Sequence, residues 1–305
     1  MNRFNISTVW CIKNNTWNTL LKQLKSIGFS KFELNVEVPE NWFNNINKSV
    51  LNNEVEISGL HNFCPALEYL PEGKNYYNVY SITSDNTEER NLAIEYTKKT
   101  IKFAKYVNAK YIVMHPGEVK IEMTGEKVNS FAYKFGTKVC LYEKYKNECI
   151  KQRQQHTKHY LDNLFFGLEQ ILNYAVKNNI FIGLENRFYY HEIPIPEDLD
   201  KIFNKFNDIH LGYWHDIGHC EVNKRLGFFN SHHDFLKPFK NKLIGMHLHD
   251  VKGLEDHFAP GTGEVDFNIL KQYIHNGLFL TIEVHPKVKI TQLKDGVKFL
   301  NKIIL

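Results

Sequence analysis

No two cysteines in the chain are spaced as CxxC, and the five present, Cys11, Cys64, Cys140, Cys149 and Cys220, are dispersed and odd in number. Neither a disulfide framework nor a thiolate zinc motif is indicated, so a reducing cytoplasm is the expected compartment. No apolar run reaches membrane-spanning length, and the start MNRFNISTVW lacks a charged segment followed by an apolar one. A membrane partner is therefore not expected. The formal charge of +4 is spread along the chain without a run of one sign, which excludes a basic nucleic-acid tail. No GxGxxG or GxxxxGK[ST] follows the first strand, which removes the usual nucleotide sites. No Pro/Gly/Ser linker or shift in composition interrupts the chain, so residues 1–305 are expected to form one domain.

What remains is an ordinary globular composition, 43% hydrophobic and 24% charged, long enough to bury a large core. Short β-branched and aromatic runs alternate with longer helical patterns throughout, the signature of βα units around a parallel sheet. Eight strands are predicted: 4–9, 31–36, 54–60, 111–114, 180–184, 209–214, the run from Leu243 and 279–284. Helices are predicted near 15–27, 39–47, 87–107, 161–176 and 290–303, with a further one opening at Asp266. The connection from Glu118 to about His156 is unusually long and reads as a loop or helical insertion roofing the site. Eight unbroken units fit a closed (β/α)8 TIM barrel better than an open doubly wound sheet.

In such a barrel the active site lies at the carboxyl ends of the strands. Those ends carry His61, His115, Glu185, Asp216 with His219, His247 with His249, and Glu283. Singly, each reads as a hydrogen-bonded loop residue; six successive strands ending in a metal-capable side chain point to a metal centre. Glu185, Asp216, His247 and Glu283 make a four-ligand set that leaves positions open for substrate oxygens. Mn²⁺, Co²⁺, Mg²⁺ and Zn²⁺ all suit it, the oxygen-rich set leaning towards Mn²⁺ or Co²⁺. After His247 and His249 a loop brings Glu255, Asp256 and His257, closed by Pro260, Gly261 and Gly263.

The strand-end pattern LENRF, WHDIGHCE, MHLHD and TIEVHP, with HPGE and DHFAPGTGEVDF, resembles the xylose isomerase-like TIM-barrel superfamily across nearly the whole chain. That group holds sugar isomerases and epimerases, related dehydratases and the endonuclease IV class of nucleases. Resemblance to the ketose epimerase branch implies that Glu185, Asp216, His247 and Glu283 bind the metal. It also implies that Glu185 and Glu283 are catalytic, one removing a proton beside a carbonyl and the other returning it through a metal-held enediolate. Arg187, His219, His249 and His257 would then contact a small carbohydrate substrate, His61 and His115 would line the rim, and Lys252 would meet an anionic tail. Exposed barrel helices would support a homo-oligomer.

Resemblance to the endonuclease IV class implies a different chemistry, three zinc ions cleaving a phosphodiester in abasic DNA. His61, His115, His219, Glu255 and His257 would be the additional metal ligands, with Glu255 standing where that pattern has aspartate. Against a nucleic-acid partner, the chain offers no concentrated basic stripe. The segment NRFYYHEIPIPEDL is also unlike the small, polar stretch of the nucleases.

Overall fold

A computed structural model describes residues 3–13 and 15–304. Eight parallel strands close into a barrel: β1 (Asn5–Ser7), β2 (Lys31–Leu34), β3 (Glu56–His61), β4 (Tyr111–Met114), β5 (Phe181–Glu185), β6 (Leu211–Asp216), β7 (Leu243–Leu248) and β8 (Phe279–Ile282). Each pairs with its neighbours in sequence, and β8 pairs with β1. The expected (β/α)8 barrel is thus the fold. Among the described residues, no helix is long and apolar enough to cross a membrane.

The helices are α1 (Trp17–Ser26), α2 (Phe43–Leu51), α3 (Thr87–Tyr106), α4 (Gly125–Phe135), α5 (Cys140–Asn178), α6 (Pro196–Lys205), α7 (Ile217–Arg225), α8 (His233–Leu236) and α9 (Ile290–Ile304). Their starts follow capping chemistry: Thr16 and Thr19 form a capping box on α1, and the Asn86 side chain accepts the N–H groups of Glu88 and Glu89 on α3. The long connection after β4 is helical. Gly136, at φ +79°, ends α4, and α5 then runs unbroken for 39 residues. The helix predicted over 161–176 is only its second half. Gly167 does not break it, because that glycine is a packing device: a Cβ there would stand 2.5 Å from Ile82. The predicted helix after Asp266 is a 3-10 helix, Phe267–Tyr273.

Two rings fill the base of the barrel. Tyr111 and Trp214 pack with ring centroids 4.6 Å apart and planes tilted by 34°, and the strands beside them carry glycine to make room. A Cβ on Gly59 would lie 2.1 Å from the Tyr111 ring, and one on Gly245 2.0 Å from Trp214. Glu33 and the ionisable side chains of the site lie above this plug, towards the ends of the strands. An antiparallel hairpin, Asp250–Lys252 with Glu255–Phe258, stands at the mouth where a loop is expected from the sequence.

Candidate metal centre

Directly above the plug sits Glu33, a carboxylate of β2 with no solvent exposure. It accepts hydrogen bonds from the Tyr111 hydroxyl at 2.8 Å, from Thr281 at 3.1 Å and from His247 Nε2 at 2.9 Å. Because Nε2 donates to Glu33, His247 turns Nδ1 towards the mouth. There Nδ1 stands 2.9 Å from Glu185 Oε1, 3.2 Å from Glu283 Oε2 and 3.6 Å from Asp216 Oδ2. Strand register produces this meeting, with Asp216 and Thr281 each paired to His247 across the ladder.

One ligand atom from each of Glu185, Asp216, His247 and Glu283 lies within 4.8 Å of all the others, and all four residues are buried. Three buried carboxylates around one imidazole carry a surplus of negative charge that a divalent cation matches in sign and donor type. The hydrogen bond from the far nitrogen of His247 to Glu33 is the arrangement that metal-bound histidines keep. Burial alone would raise the carboxyl of Glu185, but the charge and hydrogen bond of His247 help to hold it well below the usual range. Burial is likewise overcome at Asp216, by His219 and His249, and its carboxyl also stays well below the ordinary value. His247 is the mirror case: burial works against its proton, yet Glu283, Glu33 and Glu185 hold its pKa well above the histidine range.

Neighbouring groups fix the ligands. Ser7 Oγ donates to Glu283 Oε1 at 3.2 Å. Asp216 caps α7, accepting the His219 N–H at 2.7 Å, and its own N–H is held by Asn186 Oδ1 at 2.8 Å. His249 is fully enclosed; its Nδ1 accepts the His257 N–H at 2.9 Å, so Nε2 donates to both Asp216 oxygens, at 2.9 and 3.0 Å.

Two further groups flank this set. His61 and His115 meet Glu185 on one side, and His219, Asp256 and His257 converge on the other. On the first side the hydrogen-bond accounting does not close. His115 Nε2 lies 2.6 Å from both Arg187 Nη1 and Glu185 Oε2. A nitrogen that accepts from the guanidinium has no proton for the carboxylate, so a cation beside Nε2 and Oε2 resolves the conflict. Burial and Arg187 together depress the His115 pKa well below normal, consistent with a bare nitrogen.

A cavity of about 360 Å³ opens over these groups, lined by His61, His115, Glu185, Arg187, His219, His257 and Glu283 among others. Three residues named from the sequence stand elsewhere. His249 is sealed beneath the cavity and touches Asp216 rather than open space. Lys252 is exposed, with Nζ 4.8 Å from the centre of the Phe258 ring. Glu255 is exposed and accepts from Tyr133 at 3.4 Å; the carboxylate beside His219 and His257 belongs to Asp256, 3.6 and 3.8 Å away. Pairing in the mouth hairpin and the positive φ of His257, +58°, set that choice, and neither is visible in residue spacing. Sequence reasoning also gave no role to Glu33 and Asn186, or to Lys13, Tyr77 and His285 at the cavity rim.

Among curated proteins, the chain is 25% identical to the uncharacterized protein MJ1311 of Methanocaldococcus jannaschii over 263 residues, covering 80% of this chain and 76% of that one. Two solved structures share the fold. A D-tagatose 3-epimerase-like protein matches at TM-score 0.68 and 19% identity, covering 99% of this chain and 96% of its own. The IOLI protein, described with a zinc atom, matches at TM-score 0.67 and 14% identity, covering 99% and 98%. The model of the xylose isomerase-like TIM barrel family matches residues 21–303, and the chain belongs to that family.

Proposed function

We propose that the protein is a divalent-metal-dependent isomerase or epimerase of a small sugar or sugar derivative. The observation that carries this reading is the convergence of Glu185, Asp216, His247 and Glu283 at the floor of one cavity. Fold neighbours described as sugar epimerases support it by analogy. A divalent ion held by these four residues supplies a Lewis acid that polarises a carbonyl oxygen and offsets developing negative charge. Glu185 and Glu283 enter the cavity from β5 and from just beyond β8. One takes the proton next to the carbonyl and the other returns it through an enediolate. Both carboxyls are held below the usual carboxylate range, so both stand ready as bases near neutrality. Arg187 on the Glu185 side of the cavity, and His219 and His257 beside Asp256, are the donors for substrate hydroxyls.

A second reading, a zinc phosphodiesterase, is favoured by one observation: the two flanking groups and the donor conflict at His115 call for cations beyond the central one. Metal content of protein purified without chelator, less one for any zinc shown to carry a sulfur ligand, separates the two. About one ion bound at the mouth per chain supports the isomerase reading. Two or three zinc ions there support the phosphodiesterase. The isomerase is then tested by proton exchange at substrate carbon in heavy water with a panel of ketoses and aldoses. Exchange is expected with the parent protein and lost in Glu185→Gln and in Glu283→Gln; exchange retained in both variants removes the proposed roles.

A further inference from the structure

Behind the mouth, on the outer face of β6, is a second set of buried donors that the cavity does not use. Side chains alternate along a strand. Trp214 and Asp216 turn into the barrel, while Tyr213 and His215 turn outwards towards α7 and α8, Tyr213 stacking on Phe235. His215 Nε2 faces His232 Nδ1 at 3.0 Å, and Cys220 in the first turn of α7 completes the group. The ligand atoms of His215, Cys220 and His232 lie within 4.8 Å of one another, and the residues are at most 2% exposed.

Hydrogen bonds at the two ends of this chain fix where the ring protons sit. Asn186 Oδ1 accepts the Asp216 N–H, which orients the amide, and it also accepts the Tyr213 hydroxyl at 2.8 Å. The single proton of Tyr213 is then committed, so its oxygen, 2.6 Å from His215 Nδ1, accepts, and His215 carries its proton on Nδ1. At the other end His232 Nε2 donates to Glu221 Oε2 at 3.1 Å, a carboxylate that Lys224 and Arg225 also pair. As neutral imidazoles, both rings have their only proton on the outer side. Their inner nitrogens then confront each other as bare lone pairs.

A cation must resolve that contact. A proton does so by leaving a charged ring in the interior. A thiophilic divalent ion does so while also engaging the Cys220 sulfur, and the outer hydrogen bonds, to a carboxylate and a hydroxyl oxygen, are those that metal-bound histidines make. Two nitrogens on one tetrahedral zinc stand about 3.3 Å apart, so the 3.0 Å gap needs to open by only about 0.3 Å.

We propose that His215, Cys220 and His232 form a buried zinc site, with water in the fourth position, that pins α7 and α8 to β6. No CxxC marks it, because its donors are five and twelve residues apart and meet only when helix packs on strand. The inference is independent of the function proposed for the mouth, whose donors are nitrogen and oxygen alone.

Cobalt substitution reads the site directly, because a cobalt–thiolate bond gives an intense near-ultraviolet charge-transfer band that the mouth donors do not produce. We expect that band in the parent protein and in Cys140→Ser, its loss in Cys220→Ser, and one zinc ion fewer per chain in that last variant. Absence of the band at full cobalt loading, or its survival in Cys220→Ser, overturns the site. Should Cys220→Ser fail to fold, zinc-edge X-ray absorption of the parent protein decides: a sulfur ligand is expected, and shells of nitrogen and oxygen alone refute the proposal.

Discussion

Glu33 Oε1 stands 2.9 Å from His247 Nε2 in the closed interior of the barrel, so one residue on β2 decides which nitrogen of a β7 histidine faces the mouth. Replacing Glu33 by glutamine keeps an acceptor but removes the charge. We expect metal affinity to fall by about 10–100-fold, the range typical for partners of metal ligands. Glu33→Ala leaves His247 Nε2 buried without an acceptor, expected to cost about 1–3 kcal/mol, while the hydroxyls of Tyr111 and Thr281, 3.2 Å apart, can bond each other. Competition with a calibrated chelator gives the first quantity and denaturant unfolding the second. Unchanged affinity in Glu33→Gln would show that the orientation of His247 is set elsewhere.

Asp250 organises the mouth loop without touching the cavity. Its two oxygens accept the backbone N–H groups of Val251, Gly261, Gly263 and Val265 at 2.8–3.0 Å. An asparagine there sets an NH₂ group against N–H donors. Asp250→Asn is expected to lose about 1–3 kcal/mol of stability and to speed amide exchange at Gly261 and Gly263. Bound metal should stay at the parental level. Slow exchange at both glycines in the variant would contradict this account.

The barrel and its four central donors were legible because each depends on local pattern. Strand runs are short and apolar, and the donors sit where those runs stop. Glu33 was not, because in KFELNV it reads as one polar residue in an alternating strand; its burial depends on Tyr111, Thr281 and His247, up to 248 residues away in sequence. Asp256 was hidden by one step of hairpin register, and spacing alone favours Glu255. His249 does lie on the same side as His247, as alternation requires, since both reach Asp216. Only the mouth hairpin, closing over His249, shows that it supports a ligand instead of meeting solvent. The first half of the 39-residue α5 was obscured because aromatic, Lys and Glu residues are intermixed there without a clear apolar stripe, so it read as part of the long connection.

Packing at the base gives a test of the fold that is separate from the chemistry. Gly245 abuts Trp214, which is fully buried against Tyr111 and has no room to retreat. Gly245→Ala is therefore expected to destabilise by about 1–3 kcal/mol through overpacking, lowering the Tm. Metal content of the folded fraction should remain normal. A parental Tm would mean that the Trp214 ring can shift.

Protons and metal compete for His247, and the sign of that competition follows from its surroundings. Without metal, Glu283, Glu33 and Glu185 overcome burial and hold its pKa well above the ordinary value of about 6.5. This protonation stabilises the metal-free fold fully below the unfolded value, and the contribution is lost as pH rises through the folded value. To serve as a ligand, Nδ1 must shed its proton. Glu185, Asp216 and Glu283 are depressed and already ionised, so they release none near neutrality. Filling the central site between pH 6.5 and 8 should thus release about one proton per ion, and affinity should rise by about tenfold per pH unit until His247 deprotonates on its own. Calorimetric titration in buffers of different ionisation enthalpy measures the proton count. A count near zero with pH-independent affinity would remove His247 Nδ1 from the ligand set.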